Sequence, residues 1–193
     1  MITIYVVRHG QTEYNVLGRM QGQIDTPLTD EGYKNAFLVA DRLSKIKFDH
    51  IYSSDLGRAF ITAHVIAEKL NLENRIVREK KLREQNFGEF NGKPRDELKN
   101  TKFFGNPNHT PKDGENFENM QKRIVKFILS LEHLHKDKTA LVVTHGGCIN
   151  ALKGYFDKAS LKKCLTNKNC NEYIGKFVID NGNLISYEKV NGI

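Results

Sequence analysis

The chain has 193 residues, a length that suits one globular domain able to bury a core without metal or disulfide support. It is 39% hydrophobic and 27% charged, which excludes a disordered class, and no apolar run approaches the roughly 18 residues of a membrane span. The formal charge of +7, from 30 Lys+Arg against 23 Asp+Glu, is scattered in pairs such as Lys80-Lys81 and Lys162-Lys163, without the basic run or motif of a nucleic-acid binder.

Ile2 to Val7 is nearly all apolar, as in a strand buried on both faces. Thr29-Asp30-Glu31-Gly32 opens a helix. Thr29 suits its N-cap, the acidic pair suits the positive end of the dipole, and Phe37, Val39, Ala40 and Leu43 are its apolar positions. Asp49 to Ser53 reads as a short strand. Ser54-Asp55 then cap a helix to about Leu70, with Val65, Ile66 and Leu70 inward. From Leu82 to Asn116 the pattern weakens under Gly and Pro punctuation, and a lid over about 85–116 is the reading. Phe117, Met120, Ile124, Phe127, Ile128, Leu131 and Leu134 follow helical spacing. Thr139 to Thr144 is a second buried strand, followed by a helix from about Gly147 to Tyr155. Tyr173–Asp180 and Leu184–Val190 form a hairpin around Asn181-Gly182.

Strands alternating with helices predict an α/β fold, a mostly parallel sheet covered by helices. One domain, 1–193, accounts for the whole pattern. Cys148, Cys164 and Cys170 are odd in number and lack Cys-x-x-Cys spacing, so they read as reduced thiols. With no basic n-region or cleavage site at the N-terminus, that reading places the chain in the cytoplasm.

Parallel sheets place their sites at the carboxyl ends of the strands. Two buried strands run into Arg8-His9-Gly10 and His145-Gly146-Gly147, and a third leads through Ser53-Ser54 to Arg58. Two histidines and two arginines then converge at one sheet edge. Guanidiniums are fixed forks for phosphate oxygens. A neutral imidazole among them is a nucleophile for phosphorus, and a glycine after it permits close approach. Such transfer needs mainly positioning and charge neutralisation, which side chains can supply without a metal or cofactor.

The chain resembles the histidine phosphatase superfamily, the branch of cofactor-dependent phosphoglycerate mutases and their phosphatase relatives. The resemblance lies in 7–15 (VRHGQTEYN), Gln21-Gly22, 27–32 (PLTDEG), 52–59 (YSSDLGRA), 82–92 (LREQNFGEFNG), Gly114-Glu115-Asn116 and Val143-Thr144-His145-Gly146-Gly147, in family order. It implies a three-layer α/β/α sandwich, mutase-like, with His9 ending the first strand. It also implies His9 as phosphorylated nucleophile, and Arg8, Arg58 and His145 as the phosphate pocket. Asn15 adds an amide, Thr12, Gln21, Gly22 and Gly146 lie by the phosphate, and Glu84 is the proton donor.

The segment after Glu84 (QNFGEFNG) resembles the phosphatase branches rather than the Arg-x-Tyr-Gly of the mutases. A phosphomonoester phosphatase acting on a small anionic metabolite is therefore expected, with mutase activity as the alternative. Lys93, Arg95, Lys99 and Lys102 are candidates for a second anionic group, though a solvated basic face is the favoured reading of them. Expected partners are this substrate alone, with neither nucleic acid nor membrane, and a homodimer through an edge strand is possible. His50 and His64 read as structural, His109 as exposed, His133 and His135 as helix-end cations, and Cys148 as core.

Overall fold

The computed structural model describes residues 1–165 and 170–190. Four strands are parallel: β1 (Ile2–Arg8), β2 (His50–Ser53), β3 (Ile76–Arg78) and β4 (Thr139–Thr144). Two more follow: β5 (Ile174–Asp180) pairs antiparallel with β1, and β6 (Asn183–Lys189) pairs antiparallel with β5. They form one sheet in the order β3-β2-β4-β1-β5-β6.

The near-continuous apolar runs of β1 and β4 serve two cores at once. Ile2, Ile4, Val6, Ala140 and Val142 pack under α4 (Phe117–Leu134) and α5 (Gly146–Phe156). Tyr5, Val7, Leu141 and Val143 pack on the other face, under α2 (Asp30–Leu43) and α3 (Gly57–Lys69). Successive side chains point to opposite faces, so a strand covered on both sides must be apolar at both periods. The architecture is the expected α/β/α sandwich. Phe37 on α2 and Leu134 on α4 nevertheless stand exposed, each beside an apolar stripe already filled by its neighbours.

The helix starts show what local sequence does and does not settle. Thr29 caps α2, its hydroxyl accepting from the Gly32 amide at 3.1 Å. Asn116 caps α4, accepting from Asn119 at 2.8 Å. Ser54 and Asp55 do not cap α3. The N-cap is Leu56, and the carboxylate of Asp25, from the loop before α2, accepts the amides of Gly57 and Arg58. β3, three residues at the sheet edge, has no counterpart in the periodicity because its length is too short to show one. In the hairpin, Asn181 and Gly182 both take positive φ (49° and 74°), the geometry of a tight two-residue turn.

The stretch 82–116 is irregular as expected, with single turns at Gly88–Phe90 and Arg95–Leu98. Met20, Leu98 and Phe103 give it a small core of its own, against which Phe87 and Phe90 pack. Two short helices complete the fold, α1 (Glu13–Val16) and α6 (Leu161–Cys164). Among the described residues, no helix is long and apolar enough to cross a membrane.

Candidate active site

β1 and β4 are neighbours in register, with Arg8 opposite Thr144. The His9 amide continues the ladder, donating to the Thr144 carbonyl at 3.0 Å. The sheet therefore delivers His9 and His145 side by side, ring centroids 5.1 Å apart and tilted by 58°. Gly10 is small for a different reason than expected. A Cβ there would lie 2.3 Å from the Gly32 carbonyl oxygen, so the turn packs main chain on main chain at the start of α2. A cleft of about 830 Å³ opens over this sheet edge. Of the residues anticipated by the sequence, Arg8, His9, Asn15, Gln21, Gly22, Arg58, Glu84 and Gly146 line it.

His9 is almost wholly buried. Its Nδ1 lies 2.8 Å from the Gly10 carbonyl oxygen, which can only accept, so Nδ1 carries the proton and Nε2 keeps its lone pair. Burial, then the charges of Arg58 and Arg8, hold the ring well below the ordinary imidazole range. It is a neutral imidazole held next to cations. Arg58 is fixed at two nitrogens, donating to the Gly22 carbonyl at 2.6 Å and the Ile24 carbonyl at 2.9 Å. Burial lowers it to about 10, so it remains a cation at neutral pH. Burial also lowers Arg8, against the pull of Glu84.

His145 is fully buried beside His9. Burial, and after it the Arg58 charge, keeps it neutral, well below the ordinary imidazole range. Its Nε2 is 2.9 Å from the Ser54 hydroxyl. Its Nδ1 and the Nε of Arg58 are buried with no hydrogen-bond partner among the described residues. Two buried side-chain nitrogens left over beside His9 suit an incoming group that can pair with them.

Glu84 sits at the start of α5. Its Oε2 accepts from the Gly147 amide and its Oε1 from the Gln85 amide, both at 2.9 Å. Thr12 also departs from expectation, for it does not reach the cleft. Its hydroxyl accepts from the Asn15 amide at 3.3 Å and donates to Gln21 Oε1 at 3.1 Å, so it holds two lining residues in place. Among the basic candidates, Arg95 and Lys99 line the cleft, whereas Lys93 and Lys102 do not. His109 is half-buried against Phe90 and Phe103 rather than exposed, and His64 is exposed, stacked on Phe60. His50 stacks on His135, which caps the end of α4. Cys148 is core, its thiol pushed up to about 12 by burial.

Several positioning residues carried no sequence signal. Arg123 of α4 donates to the carbonyls of Lys81 (2.7 Å) and Arg83 (2.9 Å) and pairs with Glu115 at 2.5 Å, pinning the segment that carries Glu84. Asn171 donates to the His9 carbonyl at 2.9 Å and to Asn15 Oδ1 at 3.4 Å. Asn15 Oδ1 also accepts the Thr12 amide, which leaves the Asn15 NH₂ as the end available to a ligand. Among the described residues no cluster of three or more His, Cys, Asp or Glu is arranged to hold a metal ion.

The model of the histidine phosphatase superfamily (branch 1) matches residues 4–187. The chain belongs to this superfamily. Phosphoglycerate mutase-like protein 4 of Arabidopsis thaliana is 37% identical over 158 residues, 77% of this chain and 68% of that protein. Among solved structures, Bacillus stearothermophilus YhfR superposes with a TM-score of 0.87 at 30% identity, covering 95% of this chain and 94% of its own. Phosphoserine phosphatase from Entamoeba histolytica, in complex with 3-phosphoglyceric acid, gives 0.84 at 29% identity, covering 97% and 96%. With this fold and these relatives, the chain is a histidine-type phosphatase of the superfamily.

Proposed function

We propose that the chain hydrolyses phosphomonoesters of small metabolites in two steps, with His9 Nε2 as the phosphate acceptor. The observation that carries this reading is the His9 tautomer: the Gly10 carbonyl holds the Nδ1 proton and leaves a lone pair on Nε2 within the arginine-lined cleft. In the first step that lone pair attacks phosphorus and the bond from phosphorus to the ester oxygen breaks. Glu84, as the acid, passes its proton to the leaving oxygen, and the alcohol departs. In the second step water attacks phosphorus, the P–N bond breaks, and the Glu84 carboxylate takes the water proton. His9 and Glu84 return to their starting states and inorganic phosphate leaves.

Arg8, Arg58, the Asn15 amide and His145 Nδ1–H bind the phosphoryl oxygens in this scheme, and Gln21, Gly22 and Gly146 shape the pocket around them. The charge is supplied by side chains preorganised before substrate arrives, which is what lowers the barrier. The segment 85–116, with its separate small core, forms one wall and acts as a lid. The three free cysteines suit a reducing, cytoplasmic setting.

The deciding experiment is rapid quenching with a phosphomonoester. An acid-labile, alkali-stable phosphoprotein should form and should vanish in His9→Ala together with turnover. Turnover that survives His9→Ala overturns the assignment. The likeness to a mutase-like relative makes phosphoryl return the second reading, and primed phosphoglycerate interconversion faster than phosphate release would favour it.

A further inference from the structure

Arg58 is held from two directions by one loop, residues 21–26, which lies between α1 and α2. From one side, the Gly22 and Ile24 carbonyls accept from its guanidinium at 2.6 and 2.9 Å. From the other, the Asp25 carboxylate accepts the Gly57 amide and, at 3.2 Å, the Arg58 amide, and its Oδ1 lies 3.7 Å from the same guanidinium. Side chain and main chain of Arg58 are therefore both fastened to the segment Gly22 to Asp25. A Cβ on Gly57 would stand 2.5 Å from Asp25 Oδ2, so the carboxylate is seated against bare backbone. A cap that served α3 alone would need only a short polar side chain at position 56. Leu56 stands there without one, and the capping group comes instead from the loop that supplies the carbonyls for Arg58.

The same loop reaches the acid. Gln23 Nε2 donates to the Glu84 carbonyl at 3.1 Å, and Gln23 Oε1 accepts from Arg83 at 3.3 Å. Arg83 is itself held by both oxygens of Asp55, each at 2.6 Å. The loop is also closed on itself: Gln21 Nε2 donates to the Thr26 hydroxyl, and the Ile24 amide donates to the Gln21 carbonyl at 3.0 Å. Gly22 takes a φ of 52°, and a Cβ there would lie 2.9 Å from the Phe87 ring and 3.1 Å from the Gln85 carbonyl oxygen. One short, fastened segment thus touches both the cation and the main chain of the acid. Preorganised transfer depends on the spacing of such groups, and a displacement of about 1 Å costs up to about 10²-fold.

We infer that the loop 21–26 is a clasp that sets Arg58 and Glu84 at their working separation, with Asp25 the positioning residue for Arg58 and Gln23 the positioning residue for Glu84. This rests on hydrolysis at His9 with Glu84 as the acid, and assigns what aims those groups. Each acts through the group it holds, Asp25 through the Arg58 main chain and Gln23 through the Glu84 carbonyl. Their consequences therefore separate. Loss of Asp25 loosens phosphate binding, and loss of Gln23 loosens proton delivery.

Asp25→Ala and Gln23→Ala test it, with inorganic phosphate as inhibitor and with butyl phosphate and p-nitrophenyl phosphate as substrates. Asp25→Ala should raise the phosphate inhibition constant and KM roughly tenfold and slow the two esters alike. Gln23→Ala should leave phosphate inhibition within about twofold and slow butyl phosphate roughly tenfold more than p-nitrophenyl phosphate, whose leaving group departs without a proton. Gln23 is half-buried and takes no part in the α3 cap, so its variant keeps the fold. Should Asp25→Ala not fold, Asp25→Asn, which retains one acceptor oxygen without the charge, replaces it with the same expected rise. Asp49→Ala is the control. That carboxylate accepts the Thr139 amide at 2.9 Å, at the end of β4 away from His145, so its loss lowers the melting midpoint and moves neither kinetic readout. Clasp variants that share one kinetic pattern, or that match Asp49→Ala, overturn the clasp, and hydrolysis stands if a phosphohistidine is still trapped in the wild type. Absence of both turnover and phosphohistidine overturns the two readings together.

Discussion

Ser54→Ala isolates the part of the site that acts through a proton position rather than a charge. Ser54 and His145 are both fully buried, and their contact at 2.9 Å joins β2 to β4. The Ser54 oxygen receives the Leu56 amide at 3.4 Å, and the proposed scheme has the Ser54 hydroxyl donate its proton to His145 Nε2. In that arrangement the ring's own proton sits on Nδ1, the nitrogen with no partner among the described residues. Alanine leaves Nε2 buried without a donor, which costs about 1–3 kcal/mol. For a chain of this size that lowers the melting midpoint by roughly 2–12 °C. It also frees the ring to take the wrong tautomer, forfeiting a charge-assisted bond to the phosphoryl group worth about 1.5–3 kcal/mol. The expected loss in kcat/KM is roughly 10–100-fold. The assay is steady-state hydrolysis of p-nitrophenyl phosphate, paired with a thermal melt. A folded Ser54→Ala protein within twofold of wild-type kcat/KM refutes the tautomer argument.

Gly147→Ala places a Cβ 2.3 Å from Glu84 Oε1, so the carboxyl must leave its seat on the Gly147 amide. Loss of a placed acid costs about 10²–10⁴-fold. Alkyl phosphates should therefore slow far more than p-nitrophenyl phosphate, and equal slowing counts against Glu84 as donor. The depressed His9 and His145 tie stability to pH. Both rings are neutral in the folded chain and titrate near 6.5 when unfolded, so below about pH 6.5 only the unfolded state gains protons. Stability should fall with pH from there, by up to about 1.4 kcal/mol per unit for each ring. Denaturant melts between pH 7.5 and 5.5 measure the slope, and His9→Asn should remove its share. For Arg123→Ala, severing the ties to the Lys81 and Arg83 carbonyls should lower kcat more than it raises KM. An effect on KM alone would place Arg123 outside the positioning of Glu84. Activity should persist after dialysis against EDTA, because Arg8 and Arg58 supply the neutralising charge; a metal-restorable loss contradicts that.

Legibility of this molecule followed the range of the interaction. The buried strands were readable because β1 and β4 face a core on each side, which forces an unbroken apolar run. The cap at Thr29 lies within three residues of the amide it satisfies. Where the partner is distant the reading failed. Ser54-Asp55 have the composition of a cap, yet Asp25 reaches across from another loop to do that work. This frees Ser54 for His145 and Asp55 for Arg83, which it meets at 2.6 Å. Thr12 has the right type for a phosphate ligand, but its hydroxyl is already committed to Asn15 and Gln21. The same logic separates the two tiers of the site. Residues that the proposed scheme assigns to the phosphoryl group sit where strands end and helices begin, positions that a sequence marks by pattern. Residues that aim them, such as Asn171 on the His9 carbonyl 162 positions away, are set only by how the finished sheet brings chain segments together. Such residues are interchangeable by type in any local window, so only coordinates reveal them. The basic residues after Glu84 make the point most sharply: Lys93 and Arg95 are two positions apart, and of the two only Arg95 lines the cleft.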